Sequence, residues 1–220
     1  MIHTVFFDAG GTLIDTPDFF LYVAPQVGGD ETEVVAQFLK ERFLDHYRDP
    51  SQPFRTVEQL IALVLRQAAN SLGIRDRSAS AGEIYRRLFL TEARLYGDAL
   101  PALQQLLREE IRMIMISDAD AGILYEEFDR LGIREFFSDY VISSEVGAYK
   151  PSDAIVGAAR ELCREPLDGI VLVGDTLADV HTAHKMGVGA VHIDRRSAPL
   201  ERADHVITTL SALPDLVRQL

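Results

Sequence analysis

The chain is short of cysteine, of basic residues and of long apolar runs, and each shortage excludes something. A single cysteine, Cys163, leaves no internal disulfide to form. It falls in a stretch of helical pattern, where a free thiol serves far more often as a small buried group than as a nucleophile. The chain has 22 Lys and Arg against 34 Asp and Glu, a net charge of −12. That balance argues against a nucleic-acid partner, because affinity for nucleic acid rests on cations that neutralise phosphates. No apolar run reaches the roughly 18 residues needed to cross a bilayer. The N-terminus lacks a basic segment followed by a small-residue cleavage site, so neither export nor membrane insertion is expected, and the cytoplasm is the expected compartment. A small anionic substrate is still compatible, provided a metal ion or helix N-termini supply local positive charge.

What is present is 220 residues, 47% of them hydrophobic, enough for a sizeable core. The apolar run Val5 to Phe7 reads as a buried strand that stops at Asp8, followed by Gly10 and Gly11. From Ile14 to about Tyr96 the pattern is helical. Val34, Val35, Phe38, Leu39 and Phe43 form one stripe, and Val57, Leu60, Ile61, Val64, Leu65 and Ala68 form another. A shorter helix is expected near Phe19 to Val27. Capping signatures occur at Asp30 with Glu33, Thr56 with Gln59, and Ser80 with Glu83.

From Gly97 onward, apolar strands alternate with amphipathic helices. Strands are expected at Ile111 to Ile116, Tyr140 to Ile142, Ile170 to Val173, Ala190 to Ile193 and His205 to Ile207. Helices are expected from near Pro101, from Ala121 to Leu131, from Pro151 to Cys163, from Leu177 to Met186 and near Leu210 to Gln219. The fold class is therefore α/β, a doubly wound parallel sheet covered on both faces, with an all-helical domain inserted after its first strand. Residues 1–15 and 97–220 form the expected core, and 16–96 the insertion. An insertion tied at both ends just past Asp8 would sit over the crevice at the strand ends as a lid.

Four groups at strand ends can carry chemistry. Asp8 is held at the crevice, or merely turns the chain. Ser117 and Asp118 follow the strand ending at Ile116, where a hydroxyl can hold an anionic oxygen or cap a helix. Lys150, before Pro151, is a solvated surface charge or a phosphate-binding point charge. Asp175 and Asp179 in Gly174-Asp175-Thr176-Leu177-Ala178-Asp179 would repel Asp8 unless a divalent cation such as Mg²⁺ joined them. Asp179 also suits the first turn of a helix capped by Thr176. His181 and His184, three apart on a helix with no third ligand, read as surface residues.

These four groups, in this order, resemble the four motifs of the haloacid dehalogenase superfamily. Asp8 and Thr12 stand in register with its first motif, Ser117 with the second, Lys150 with the third, and Asp175 and Asp179 with the metal-binding fourth. The resemblance implies a Rossmann-like core with a helical cap between the first and second motifs. It implies that Asp8 is a nucleophile, that Ser117 and Lys150 assist catalysis, and that Thr12, Ser117, Asp118 and Lys150 meet the substrate. Asp8, Gly10 by its carbonyl, Asp175 and Asp179 would hold Mg²⁺, and the substrate would be a small phosphorylated metabolite.

Two positions depart from the pattern. Asp118 replaces a common Asn and adds a carboxylate, and Gly10 replaces the second Asp of the first motif, which in the resembled phosphatases protonates the leaving oxygen and activates water. Three readings follow. One is a Mg²⁺-dependent phosphatase that needs a good leaving group or borrows an acid from the cap, Asp45 or His46. Another is a dehalogenase-like hydrolase of carbon bonds, since such relatives also lack that Asp. The third is a non-catalytic phosphate- or partner-binding module.

Overall fold

The computed structural model describes residues 1–28, 32–49, 51–164, 166–195 and 202–220. The elements run β1 (Thr4–Phe7), β2 (Ile14–Asp15), α1 (Phe19–Val27), α2 (Thr32–Arg48), α3 (Val57–Leu72), α4 (Ala81–Arg87) and β3 (Arg94–Leu95). Then come α5 (Ala99–Arg108), β4 (Arg112–Ser117), α6 (Ala121–Leu131), β5 (Asp139–Ile142), α7 (Ser143–Val146) and α8 (Asp153–Glu161). The chain closes with β6 (Ile170–Gly174), α9 (Leu177–Met186), β7 (Gly189–Ile193), β8 (His205–Ile207) and α10 (Leu213–Gln219).

Six strands form one sheet in the order β5-β4-β1-β6-β7-β8. Every pairing is parallel. β1 is central, with Phe7 opposite Met115 of β4 on one side and Val173 of β6 on the other. Its four residues are all buried, which is why the run is uniformly apolar apart from Thr4. Alternate residues feed opposite faces: Val5 and Phe7 pack beneath α5, α6 and α10, whereas Phe6 packs with Ile155 and Val180 of α8 and α9. The chain builds first to one side of β1, through β4 and β5, and then to the other. That reversal opens a crevice at the carboxyl ends of β4, β1 and β6.

The helical insertion has its own core, in which Val23, Val35, Leu39, Ile61, Val64, Leu65 and Tyr85 meet Ile123 of α6. The insertion is thus seated on the α/β core through α6. Thr56 and Gln59 form the expected capping box on α3. The Asp30–Glu33 signature lies partly outside the described residues. Ser80 makes no side-chain cap, because Ser78–Ser80 is already wound as a 3₁₀ turn leading into α4.

The helical pattern expected to about Tyr96 ends earlier. Leu88–Glu92 is a π turn, and β3 then pairs antiparallel with β2, Ile14 opposite Leu95, so the two strands connecting core and insertion form a short ribbon. Pro151 does not open a helix: Ser152 is the N-cap of α8, its hydroxyl accepting from the Ile155 N–H at 3.3 Å. Cys163 lies just past α8, half-buried. No helix among the described residues is long and apolar enough to cross a membrane.

Candidate active site

Because β4, β1 and β6 are adjacent and in register, their ends bring Ser117, Asp8 and Asp175 together. All three line one cavity of about 280 Å³ with Gly10, Asp118 and Lys150. The opposite wall comes from the insertion, through Tyr47, Val57, Tyr85 and Phe89. The volume sits near the lower end of the range for small-molecule sites, suited to a small metabolite.

Lys150 reaches into this crevice from the loop before α8. Its ammonium donates to Asp8 Oδ1 and to Asp179 Oδ1, each at 2.6 Å, and all three side chains are buried. Burial acts to lower the lysine's pKa, but Asp179, Asp8 and Asp118 outweigh it and hold the ammonium well above the ordinary lysine value. Burial also acts on Asp8. With repulsion from Asp179 and Asp175 working against the pull of Lys150, it pushes this carboxyl up to about 8.

Asp179 is the N3 residue of a capping box. Thr176 donates to its Oδ2 through both N–H and hydroxyl, at 3.0 and 2.5 Å. The capping and the charge-site readings of Asp179 therefore describe one geometry. Two glycines make room for these acids. A Cβ on Gly11, whose φ is +76°, would overlap the Asp175 carboxylate, and one on Gly174 would overlap Asp179.

Asp8, Asp175 and Asp179 each offer a carboxylate oxygen within 4.8 Å of the others. Three hard oxygen donors converging in this way suit a divalent cation such as Mg²⁺. A side chain at Gly10 would meet nothing within 4 Å at its Cβ.

The remaining expected residues fall as follows. Thr12 is fully buried, and its hydroxyl donates to Asp8 Oδ2 at 3.3 Å, so it orients the carboxylate from behind rather than facing the cavity. Asp118 accepts the Lys150 backbone N–H at 3.0 Å and the Tyr47 hydroxyl across the cavity. Burial and the nearby Asp118 charge keep the Tyr47 phenol protonated, as that donation requires.

Asp45 and His46, candidate acids from the insertion, do not line the cavity. Asp45 lies 3.6 Å from Arg42 on the surface, and His46 faces Gln67 at 3.2 Å. Their neighbour Tyr47 is the one that enters. It continues the stripe through Phe43 by one turn, the signal that could have located it. His184 lies 3.4 Å from Asp204 on the surface, away from the acidic cluster.

Sequence reasoning also missed three polar residues. Asp120 reaches up to the insertion and accepts the N–H groups of Val57 and Glu58 at 2.8 and 2.9 Å, capping α3 from the core. Glu127 lines the cavity from the second turn of α6, and Thr16 lines it from just past β2. An acid on the same helical face as Ile123 and Leu124 was the available signal for Glu127.

The sequence matches the haloacid dehalogenase-like hydrolase family over residues 2–187. One curated relative, a glyceraldehyde 3-phosphate phosphatase of Methanopyrus kandleri, is 37% identical over 46% of this chain, a stretch that spans only 43% of that relative. Other curated relatives are a ribulose-bisphosphate phosphatase and (S)-2-haloacid dehalogenases. Among solved structures, the L-2-haloacid dehalogenase of Xanthobacter autotrophicus superposes with a TM-score of 0.80 at 21% identity, covering 100% of both chains. The HAD-hydrolase YfnB of Bacillus subtilis, bound to magnesium, has a TM-score of 0.80 at 16% identity, covering 98% of both chains.

Proposed function

This chain belongs to the haloacid dehalogenase-like hydrolase family, and from that premise we propose that it is a Mg²⁺-dependent phosphatase acting on a small phosphorylated metabolite through Asp8. One observation carries the reading. Asp8, Asp175 and Asp179 converge within 4.8 Å, while Lys150 is the only cation among the described residues that line the cavity. A haloacid carboxylate brought to that cluster would meet net repulsion. A phosphate ester is instead accommodated if Asp8, Asp175, Asp179 and the Gly10 carbonyl hold Mg²⁺, which when bound supplies charge neutralisation for the phosphoryl oxygens.

In this reading residues 16–96 form the cap, and 1–15 with 97–220 the catalytic core. An Asp8 oxygen attacks phosphorus, and the P–O bond to the alcohol breaks. Lys150 and Ser117 hold the phosphoryl oxygens as charge moves onto them, and Thr12 fixes the rotamer of Asp8. Water then attacks the phosphorus of the aspartyl phosphate, releasing phosphate and restoring Asp8. Gly10 supplies neither the proton to the leaving oxygen nor a base for that water, an absence that costs about 10²- to 10⁴-fold. Esters whose leaving group is stable as an anion suffer least.

Gly10 itself favours a second reading, a metal-independent hydrolase of carbon–halogen bonds. Hydrolysis of p-nitrophenyl phosphate and of an alkyl phosphate, with Mg²⁺ and with chelator, separates the two. Metal-dependent turnover that is faster on the aryl ester and lost in Asp8→Asn is the expected result. Halide release from a 2-haloacid in chelator, without phosphatase activity, would replace it with the second reading.

A further inference from the structure

Glu127 and Thr16 have no part in the chemistry described above, yet both line the same cavity as Asp8. Glu127 is 2% exposed. Its Oε1 and the Thr16 Oγ1 are both enclosed and have no hydrogen-bond partner among the described residues. Arg130, one turn further along α6, does not satisfy Glu127. Its guanidinium is directed instead to the carbonyls of Phe89 and Ala93, at 3.3 and 2.8 Å. Phe89, Ile123 and Leu124 line the same cavity, as does Tyr85, whose phenol lies close enough to feel the Glu127 charge. A leucine in place of Glu127 would suit that lining better, since a buried polar atom without a partner is destabilising. Two such atoms in residues that line one cavity indicate a group that arrives with the ligand.

We infer that Glu127 and Thr16 form a specificity subsite for a neutral hydroxyl on the non-reacting part of the substrate. Burial pushes the Glu127 carboxyl up to about 8, so at neutral pH it offers one O–H and one carbonyl oxygen. An alcohol, which both donates and accepts, is its complement. A substrate carboxylate would be left dry among Phe89, Ile123 and Leu124, and an ammonium would have to shed its water there. The assignment rests on the phosphatase reading and narrows its substrates to phosphate esters that carry a further hydroxyl.

The test compares ω-hydroxyalkyl phosphates of increasing chain length with the alkyl phosphates that lack only the hydroxyl, using the whole chain with Mg²⁺. The readout is the ratio of kcat/KM within each pair, so a general loss of activity in a variant cancels. The wild-type protein should prefer the hydroxylated ester by about tenfold at one chain length, mainly through KM. Glu127→Leu should erase the preference and Thr16→Val should reduce it. Glu127→Gln, which keeps a donor and an acceptor, should retain most of it. Equal ratios in wild type and Glu127→Leu would overturn the subsite. So would a preference for aminoalkyl phosphates that disappears in Glu127→Gln, the behaviour of a charged amine site. If no ester is turned over, the phosphatase reading has failed, and calorimetric binding of the same pairs decides the subsite separately. A hydroxyl preference in binding that Glu127→Leu abolishes supports it, and no preference overturns it.

Discussion

Replacing Glu127 by glutamine should change how stability depends on pH, and the size of the change follows from the surroundings of the carboxyl. Glu127 is enclosed by apolar side chains, with Arg130 on its own helix and the protonated Tyr85 hydroxyl facing it from α4. Burial is the dominant influence, Arg130 opposes it, and the carboxyl is pushed from 4.5 up to about 8. Below pH 4.5 the side chain is protonated in both folded and unfolded chains and contributes no pH dependence. Between 4.5 and 8 the unfolded chain gives up its proton while the folded one keeps it, so the folded state loses stability as pH rises. The slope is about 1.4 kcal/mol per pH unit, or roughly 3 kcal/mol lost by pH 7, a large share of an ordinary domain's stability. Above pH 8 the folded carboxyl ionises too and the loss stops. Glutamine keeps the shape and does not titrate. Urea unfolding followed by circular dichroism, in both proteins from about pH 4.5 to about pH 8, should show similar stability at the acid end. The glutamine variant should gain by roughly 2–4 kcal/mol toward pH 8, with no change in m. Parallel curves for the two proteins would refute the claim that Glu127 is protonated when folded.

Three further outcomes are expected. Gly10→Asp, at a position where an added Cβ meets nothing within 4 Å, should raise alkyl phosphate turnover by about 10²-fold or more and narrow the gap to the aryl ester; unchanged kcat would mean that the missing carboxyl is not what limits the reaction. Gly11→Ala should weaken Mg²⁺ binding measured by calorimetry and cost about 1–2 kcal/mol of stability, because Gly11 has φ +76° and its Cβ would displace Asp175; wild-type metal affinity would contradict the proposed ligand set. Asp120→Ala removes the acceptor that joins the core to the first N–H groups of α3. It should cost about 0.5–2 kcal/mol in urea unfolding and raise KM, and no change in either would show that this cap is dispensable.

Most of the core half of the site was legible because Asp8, Ser117 and Asp175 stand at the ends of short apolar strands, whereas Lys150 enters from the loop after α7. Val5 to Phe7 stops at Asp8 and Val171 to Gly174 stops before Asp175, so strand adjacency alone places the acids side by side. The capping box at Thr56 was legible because its partners are three residues apart. What escaped depends on how the helical insertion sits on the core. Tyr47 meets Asp118 across 71 positions of sequence, and Asp120 caps Val57 across 63, separations over which local pattern carries no information. Asp45 and His46 failed as cavity acids through helix rotation, since adjacent positions on α2 point about 100° apart and only Tyr47 faces inward. Ser80 had the right spacing for a cap, but its backbone was already committed to a 3₁₀ turn.

The central claim is that Asp8 takes the phosphoryl group from the substrate as an acyl phosphate, which water then opens at phosphorus. Repeated turnover of p-nitrophenyl phosphate in water enriched with heavy oxygen, followed by mass analysis of the released phosphate and of the peptide that contains Asp8, tests it directly. The account predicts the isotope in the phosphate, an unlabelled Asp8, and phosphate on Asp8 in protein quenched with acid during turnover, which direct attack of water on the ester would not leave. Isotope accumulating in the Asp8 carboxylate, as when water attacks the carbonyl of a carbon ester, would contradict it.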